Sequence, residues 1–240
     1  MEVVNYLLGY KDMKIVQNTE WFNFSLDSVL LANFITIRAK IKNIIDLGTG
    51  NAPIPLILST RTNANIVGVE IQKPIYQLAI KSIQLNNLEE RIKIINEDVK
   101  EVSKRFDSDF FDVVVSNPPY FKYTKNSHVN DNDYKTIARH ELMLDIDSVI
   151  KVAKKLLKNQ GYFGIVHRPE RLMEILTKMR ENNIEPKRVC FVYPKCNQEA
   201  NIVLIEGIKN GKEGIKFEPP LFVHDTDGNY TIEVRKMFGE

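Results

Sequence analysis

The sequence is poor in cysteine and has no long hydrophobic run. Its two cysteines, Cys190 and Cys196, are not spaced like metal ligands or like a redox pair, so we expect two reduced thiols. The apolar runs are far shorter than a membrane span requires, and residues 1–5 lack the basic and apolar pattern of a signal peptide. These absences predict a cytoplasmic protein without a membrane segment, and no metal site is expected.

The composition is balanced, with 43% hydrophobic and 27% charged residues in a chain of 240. That balance supports a buried core and excludes the disordered and fibrous classes. The length fits one large domain or a domain with a small appendage. Because no linker, internal repeat or low-complexity tract interrupts the sequence, we expect a single domain over residues 1–240.

The net charge of +2 hides an uneven distribution. Residues 151–188 contain 10 Lys and Arg residues against 4 acidic ones, whereas the segments on either side are slightly acidic. Such a local excess is typical of a surface that binds a polyanion, and equally of a lysine-rich helix that faces water. Charge alone leaves both interpretations open.

Short apolar runs alternate with longer amphipathic segments through the middle of the chain. The runs predict strands over residues 43–47, 65–70, 91–95, 111–116, 162–166, 188–193 and 201–206. The longer segments predict helices over residues 53–62, 74–87, 145–158 and 169–182. Nearly continuous apolar strands separated by helices indicate a parallel sheet that is covered on both faces.

The last two predicted strands are too close in sequence for a parallel connection. Residues 194–200 leave no room for a crossover helix, so these strands should pair antiparallel. The predicted fold class over residues 43–206 is therefore α/β: a seven-stranded, mostly parallel sheet with helices on both faces and a terminal antiparallel hairpin. This is the Rossmann-like layout of class I methyltransferases, and dinucleotide dehydrogenases lack the terminal hairpin.

Three segments are expected to have other structures. Residues 1–42 should form a helical extension before the core. Residues 121–140 are polar and rich in asparagine, and we interpret them as a substrate loop. Residues 207–240 should form a loose β-hairpin tail, because turn signals occur at residues 210–211 and 227–229.

The first predicted strand ends in a glycine-containing turn. Gly48 and Gly50, with Thr49 between them, allow a tight turn and a close approach of a ligand to the backbone. Glu70 follows at the end of the next strand, about 20 residues further on, where an acid can bind both hydroxyls of a ribose. A strand, this turn, a helix and an acid at that distance predict a site for a nucleoside-containing cofactor.

Two residues near this turn discriminate between the candidate cofactors. Pro53 occupies the position of the third glycine in the dinucleotide fingerprint, and Asp46 would repel a pyrophosphate. An acid at position 46 can instead attract the positively charged amino acid end of S-adenosylmethionine. Asp98, just after the third strand, either accepts a hydrogen bond from the adenine amine of that cofactor or is an ordinary loop acid. These residues favour S-adenosylmethionine over NAD.

The fourth strand is followed by Asn117, Pro118, Pro119 and Tyr120. The Asn117 amide oxygen and the Pro118 carbonyl can both accept hydrogen bonds, the two prolines hold them stiffly, and Tyr120 adds a flat ring. At the carboxyl end of a strand beside the first, this group predicts a grip on an exocyclic NH2 such as adenine N6. With both N–H groups held, the nitrogen lone pair turns toward a methyl donor and no strong base is required, so we predict that these four residues are catalytic.

These motifs together resemble a known family. The sequence is similar to class I N-methyltransferases that use S-adenosylmethionine and, more narrowly, to the bacterial tRNA1(Val) adenine-37 N6-methyltransferases. The resemblance rests on residues 24–31, 46–50, 117–120, 138–141 and 166–172. The sequence departs from the family at residues 51–53, where relatives more often have a Ser-Gly pair, so a stiffer turn is expected here.

The resemblance implies a function and a set of site residues. The function is methylation of an adenine N6 in tRNA, beside the anticodon, with S-adenosylmethionine as cofactor and tRNA as partner; no obligate protein partner is implied. The cofactor would contact Phe24, Ser25, Asp27, Asp46, Gly48, Thr49, Gly50, Glu70, Asp98, Val99 and Asn117. The substrate would contact Phe121, Arg139, His140, His167 and Arg168.

Other interpretations stay open. A protein glutamine amide has a similar NH2, but enzymes of that kind usually have a sizeable N-terminal helical domain, for which residues 1–42 are too few. Guanine N2 in ribosomal RNA fits the chemistry, although such enzymes tend to have phenylalanine at the tyrosine position, and a DNA adenine enzyme would need a target-recognition domain. From other classes, a dinucleotide-dependent oxidoreductase is disfavoured by Asp46 and Pro53, and a catalytically silent RNA-binding module remains an alternative.

Overall fold

The structure is a computed structural model that describes residues 1–7, 9–20, 25–120 and 144–240. Its strands are β1 (Glu2–Leu7), β2 (Tyr10–Asn18), β3 (Asn43–Leu47), β4 (Asn65–Val69), β5 (Ile92–Ile95), β6 (Phe111–Ser116), β7 (Leu157–His167), β8 (Ile184–Tyr193), β9 (Ile202–Lys209), β10 (Lys216–Phe217) and β11 (Leu221–Phe222). Its helices are α1 (Leu26–Phe34), α2 (Pro53–Arg61), α3 (Lys73–Leu85), α4 (Val99–Val102), α5 (Ile146–Leu156), α6 (Leu172–Glu181) and α7 (Ile232–Met237). Within these described ranges, no helix is long and apolar enough to cross a membrane.

Strands β3 to β11 form one nine-stranded sheet. Strands β5, β4, β3, β6 and β7 lie side by side in parallel, as their nearly uniform apolar composition predicts. Strand β9 pairs antiparallel with β7, and β8 pairs antiparallel with β9. The predicted parallel sheet and its terminal antiparallel hairpin are therefore confirmed.

The sheet has two more strands than the seven predicted. The predicted strands correspond to β3 through β9, whereas β10 and β11 contain two residues each and pair parallel with β8. Strands of that length leave too little periodicity to be recognised in a sequence.

Apolar layers cover both faces of the sheet, because successive side chains of a strand point to opposite sides. In β3, Ile44 packs into the layer under α1, α2 and α3, whereas Ile45 packs into the layer under α4, α5 and α6. The prediction of helices on both faces is confirmed. The carboxyl ends of β3, β4, β5 and β6 consequently lie along one edge of the sheet, where folds of this kind bind ligands.

The segment before the core differs from the helical extension predicted for residues 1–42. Strands β1 and β2 form an antiparallel hairpin, and α1 is the one helix among the described residues before β3. The hairpin packs on the core through Leu7 and Ile15, which are both fully buried. The Val16 N–H donates to Ser82 Oγ of α3 at 3.0 Å and holds the hairpin on that helix.

The tail differs from the loose hairpin predicted for residues 207–240. The chain passes along β8 through β10 and β11 and ends in α7, where the Thr231 hydroxyl accepts from the Val234 N–H at 3.4 Å. A turn does form near residue 227, because one antiparallel bridge joins His224 to Tyr230. The hairpin prediction is wrong for the rest of the tail, since β11 pairs with β8 and not with a strand of the tail.

Candidate active site

The turn after β3 brings backbone N–H groups to the carboxyl edge of the sheet. Gly48 and Gly50 have positive φ angles, 80° and 60°, which favour glycine. The N–H groups of Gly48 and Thr49 donate to the Val69 carbonyl of β4 at 3.0 and 2.8 Å. A Cβ atom on Gly50 would meet no atom of the described residues within 4 Å, so this side of the turn is open to a ligand.

Glu70, directly after β4, is buried beside this turn. Its Oε2 accepts from the Gly50 N–H at 3.0 Å, and its Oε1 accepts from the Gln72 N–H at 2.8 Å. Burial raises the pKa of Glu70, while these N–H donors act in the opposite direction. Each carboxylate oxygen can accept two hydrogen bonds and accepts one from these N–H groups, so Glu70 retains lone pairs for the hydroxyls of a ligand.

Asp46, in β3, is fully buried. Neither of its carboxylate oxygens has a hydrogen-bond partner among the described residues, and neither does Thr49 Oγ1. Burial raises the pKa of Asp46 to about 7; the nearby Thr49 side chain acts in the opposite direction, and the Glu70 carboxylate contributes to the rise. A buried carboxylate without a partner, beside a second one, attracts a cation and repels a pyrophosphate. This donor set fits a cofactor that has a positively charged amino acid group.

Asp98 follows β5 and caps the short helix α4. Its Oδ1 accepts from the Lys100 N–H at 2.9 Å, which leaves Oδ2 outside that bond. Val99 is buried in the apolar layer under α4. Asp98 therefore has a capping role at the same edge of the sheet, and both sequence interpretations of it stay open.

Asn117 follows β6, the neighbour of β3, and its side chain is held in one orientation. Ser116 Oγ donates to the last carbonyl of β3 at 2.7 Å, so the two strand ends are joined. Asn117 Nδ2 donates to Ser28 Oγ of α1 at 3.0 Å. Pro118 is buried and Pro119 is exposed, so the stiff pair extends from the core to the surface.

Tyr120 has partners from several elements. Its hydroxyl donates to Asp27 Oδ2 at 2.5 Å and lies 2.9 Å from Asn117 Oδ1. The Arg168 guanidinium carbon lies 4.8 Å from the centroid of the Tyr120 ring, and the His167 ring lies 4.9 Å from it. Burial raises the pKa of Tyr120, with Asp27 contributing, so the hydroxyl keeps its proton.

His167 is the last residue of β7 and is fully buried. The Arg168 N–H donates to His167 Nδ1 at 2.7 Å, so the neutral ring has its proton on Nε2. Nε2 has no hydrogen-bond partner among the described residues. Burial lowers the pKa of His167 to about 4, with Arg171 contributing, and His167 is neutral at pH 7.

A comparison with protein families matches most of this region. Residues 39–213 match the family described as methyltransferase domain, and the matched range contains β3 to β9 and residues 117–120. The chain belongs to this methyltransferase family. Because the matched range contains the parallel sheet, the glycine turn and Asn117 both belong to the methyltransferase domain.

Curated relatives of the methyltransferase match nearly the whole chain. A protein from Bacteroides thetaiotaomicron is 29% identical, and the match covers 99% of this chain and 98% of that protein. A protein from Tolumonas auensis is 27% identical, with coverage of 93% and 91%. Both are named tRNA1(Val) (adenine(37)-N6)-methyltransferase, which confirms the resemblance inferred from the sequence motifs.

Solved structures share the fold of the methyltransferase at low sequence identity. A structure described as a predicted O-methyltransferase from Agrobacterium tumefaciens has a TM-score of 0.71 at 20% identity, covering 89% of this chain and 95% of that one. A geranyl diphosphate C-methyltransferase from Streptomyces coelicolor, solved with S-adenosyl-L-homocysteine, has a TM-score of 0.57 at 11% identity, covering 76% and 74%. These likenesses confirm the Rossmann-like fold.

Most predicted site residues of the methyltransferase lie along one edge of the sheet. They are Asp46, Gly48, Thr49, Gly50, Glu70, Asp98, Asn117, Pro118, Tyr120, His167 and Arg168. The described residues do not include Phe24 or the predicted substrate loop, residues 121–140, which contains Phe121, Arg139 and His140. Ser25 is the N-cap of α1. Asp27, predicted to contact the cofactor, accepts a hydrogen bond from Tyr120.

Two further residues position the site of the methyltransferase: Ser28, from the segment 24–31 on which the resemblance rests, and Asn96, which the sequence does not single out. Ser28 orients the Asn117 amide from 89 positions away in the sequence. Asn96 Nδ2 donates to the carbonyls of Glu70 and Ile71 at 2.8 and 2.9 Å, which joins the ends of β4 and β5. The signal for either residue is its position close to an acid that the sequence does single out.

The basic segment of the methyltransferase, residues 151–188, is largely ion-paired. Six of its ten Lys and Arg residues form salt bridges with described acidic partners: Lys151, Lys158, Arg171, Lys178, Arg180 and Arg188. Acidic partners reduce the positive potential that such a segment presents to a polyanion. The free positive charge is therefore smaller than the sequence indicates, and Arg168 is a member of this segment that reaches the candidate site.

Proposed function

We propose that this methyltransferase transfers a methyl group from S-adenosylmethionine to the exocyclic N6 of an adenine in tRNA, at position 37 beside the anticodon. The observation that carries the proposal is the fixed orientation of Asn117, held by Ser28 beside Tyr120 and on the strand next to that of Asp46. The names of the curated relatives support tRNA and position 37. We take residues 1–240 as one domain that acts in the cytoplasm.

The buried acids and the glycine turn would bind the cofactor. S-adenosylmethionine, when bound, supplies a methyl group on a positively charged sulfur. Asp46 binds the ammonium group, because its carboxylate is buried without a described partner. Glu70 accepts from the ribose hydroxyls, and the open side of Gly50 admits the ligand close to the backbone. Asp98 Oδ2 accepts from the adenine amine, while Val99 closes the apolar side.

Asn117 and Pro118 would orient the target nitrogen. Asn117 Oδ1 and the Pro118 carbonyl each accept one N6–H, so the nitrogen lone pair turns out of the ring plane toward the methyl group. The face of Tyr120 opposite Arg168 stacks on the base, a contact worth roughly 1–3 kcal/mol. No side chain removes a proton before transfer, because the methylated nitrogen is strongly acidic and releases its proton afterwards. Neutral His167 packs against Tyr120 in this scheme.

The RNA would present its adenine out of the base stack. An exocyclic amine inside a stack cannot reach a pocket at a sheet edge, so the base must flip. Arg168 lies where RNA would approach Tyr120, whereas His167, predicted as a substrate contact, is fully buried behind that ring and does not reach the RNA. Phe121, Arg139 and His140 are proposed as further RNA contacts on the strength of the resemblance.

Asn117→Ala tests this function. The protein is incubated with tritiated S-adenosylmethionine and total tRNA that lacks the modification, and the labelled nucleoside is identified. We expect N6-methyladenosine with the wild type and a rate lower by roughly a hundredfold or more in the variant, because an acceptor aimed at the reacting amine is lost. Asn63→Ala, at an exposed asparagine, is the matched control and should keep the wild-type rate.

Several outcomes would refute parts of the proposal. A wild-type rate in Asn117→Ala would refute the role of Asn117. Label in guanine, or only in protein, would refute the adenine substrate in favour of another NH2 acceptor. Calorimetric binding of NADH without binding of S-adenosylmethionine would refute the cofactor.

A further inference from the structure

The Tyr120 hydroxyl has one proton and two acceptors within reach. Asp27 Oδ2 lies at 2.5 Å and Asn117 Oδ1 at 2.9 Å. A bond from a hydroxyl to a carboxylate is shorter and about twice as strong as one to a neutral amide. The hydroxyl proton therefore lies mainly between Tyr120 and Asp27, and the hydrogen bond from Tyr120 to Asn117 Oδ1 is weak.

Asn117 and Tyr120 each form a hydrogen bond with a residue in the first turn of α1. Ser28 fixes the Asn117 amide through Nδ2, so that Oδ1 faces Tyr120 and the candidate site. Asp27, the preceding residue, binds Tyr120 itself. Ser28 is buried, and the rest of α1 is anchored in the apolar layer by Leu30 and Leu31. The helix thus sets the positions of both partners independently of any ligand.

We propose that Asp27 is a positioning residue that draws the Tyr120 proton away from Asn117 Oδ1, so that this oxygen is left to accept from the substrate amine. The inference rests on the function proposed above. A proton donated to Asn117 Oδ1 by Tyr120 would occupy one lone pair and withdraw electron density from the other. Asp27 therefore acts on the reaction through Tyr120 and Asn117, and not by contact with the cofactor.

The position of Tyr120 supports this arrangement. The ring is held by the Arg168 guanidinium over it and by the His167 ring beside it, so the hydroxyl cannot swing far from its two acceptors. Arg168 Nη1 donates in turn to the Asn201 carbonyl at 2.7 Å, which fixes the guanidinium. If Asp27 is removed, Asn117 Oδ1 is the nearest acceptor that the described part of the chain offers to the Tyr120 proton.

Removal of Asp27 should therefore inhibit the enzyme through Tyr120. In Asp27→Ala, the Tyr120 proton turns to Asn117, and kcat should fall about tenfold or more while the KM for S-adenosylmethionine stays within about twofold. In Asp27→Asn, the amide oxygen still accepts from Tyr120 without a charge, so kcat should recover in part. Asp107→Ala, at an exposed acid, is the matched control and should match the wild type.

The double variant gives the sharpest test. Tyr120→Phe keeps the ring but removes the proton, so Asp27→Ala should have no further effect in that background. We expect Asp27→Ala/Tyr120→Phe to methylate adenine in tRNA as fast as Tyr120→Phe and faster than Asp27→Ala. A role of Asp27 in stability alone would not produce this gain, because the second substitution supplies no new contact.

An NMR measurement tests the bond without a substrate. The wild-type protein should show a downfield, slowly exchanging hydroxyl proton that is absent from Asp27→Ala and Tyr120→Phe. Absence of this signal from the wild type would overturn the inference, as would a double variant that is slower than Tyr120→Phe or no faster than Asp27→Ala. A tenfold rise in the calorimetric Kd for S-adenosylmethionine in Asp27→Ala would make Asp27 a cofactor ligand instead. A wild type that shows the NMR signal but does not methylate adenine would refute the proposed function alone.

Discussion

At the scale of single residues, Asp46 shows that the candidate cofactor site is built at the expense of stability. The folded chain keeps a proton on this buried carboxyl up to a pH of about 7, far above its ordinary pKa of 3.8. Because the folded state binds the extra proton between these values, the free energy of unfolding falls as the pH rises through this window. The slope is about 1.4 kcal/mol for each pH unit, and the loss is constant above pH 7.

Asp46→Asn should remove this dependence. The amide is neutral at every pH, so the Tm of the variant minus that of the wild type should increase from pH 4 to pH 7 and then level off. Thermal unfolding followed by circular dichroism measures the difference. The same variant should bind S-adenosylmethionine more weakly in calorimetry, because it offers no charge to the ammonium group. Asp107→Asn, at an exposed acid, should show no such trend.

Two results would contradict this account of Asp46. A Tm difference that does not change with pH would mean that the buried carboxyl is ionised at pH 4 to 7. An unchanged affinity for S-adenosylmethionine in Asp46→Asn would mean that the Asp46 charge does not contribute to cofactor binding.

The predictable residues of the site are those that directly follow parallel strands. Asp46, Glu70 and Asn117 lie at or just beyond the ends of β3, β4 and β6, and the topology of a parallel sheet brings such ends to one edge. The contacts of α1 were not predictable. The hydrogen bond from Tyr120 to Asp27 joins residues 93 positions apart, and it depends on side-chain geometry that periodicity does not encode.

At the scale of elements, the turn between β3 and α2 is tied to the N-terminal hairpin. Asn51 Nδ2 donates to the Val16 carbonyl of β2 at 2.9 Å. Ala52, the N-cap of α2, has a φ of 71°, in the left-handed region that disfavours a residue with a Cβ. Pro53 then begins the helix. These three features agree with the stiff turn expected from residues 51–53.

Ala52→Gly should leave the free energy of unfolding within about 1 kcal/mol of the wild type. Relief of the left-handed strain and loss of one buried methyl group are each worth about 1 kcal/mol, with opposite signs. Ala79→Gly is the matched control, since Ala79 is equally buried but lies inside α3. There the methyl loss and the helix penalty add, to roughly 2 kcal/mol.

Urea unfolding measures both glycine variants. Equal losses in Ala52→Gly and Ala79→Gly would mean that the left-handed conformation at Ala52 imposes no strain.

The sequence predicts buried strands better than exposed or very short ones. Strands β3, β6 and β9 and the second half of β7 have nearly continuous apolar runs, because they are buried on both faces, and their sequence signal is strong. Strand β1 is largely exposed, and β10 and β11 contain two residues each. Tertiary contacts, such as the bond from Val16 to Ser82 on α3, hold these weaker elements, and local sequence patterns do not reveal such contacts.

At the scale of the whole molecule, the terminal hairpin supports α1, the helix whose first turn contacts the candidate site. Glu206 of β9 is buried and accepts from the N–H and the hydroxyl of Thr36, just after α1, at 2.6 and 2.9 Å. Arg188 of β8 donates to Glu206 at 3.2 Å and lies 4.4 Å from the centroid of the Phe34 ring. The hairpin that distinguishes this fold from dinucleotide dehydrogenases therefore holds the C-terminal end of α1.

Arg188→Met should destabilise the protein by roughly 3–5 kcal/mol, because it leaves the buried Glu206 carboxylate without its cation. Adding Glu206→Gln should restore much of that loss, since the neutral amide still accepts from Thr36. Arg180→Met removes the ion pairs of an exposed cation with the half-buried Glu185 and the exposed Glu213, and should cost less than about 1 kcal/mol. Urea unfolding compares the three variants. If the double variant is no more stable than Arg188→Met, the buried charge is not the cause, and apolar packing alone holds α1 on the terminal hairpin.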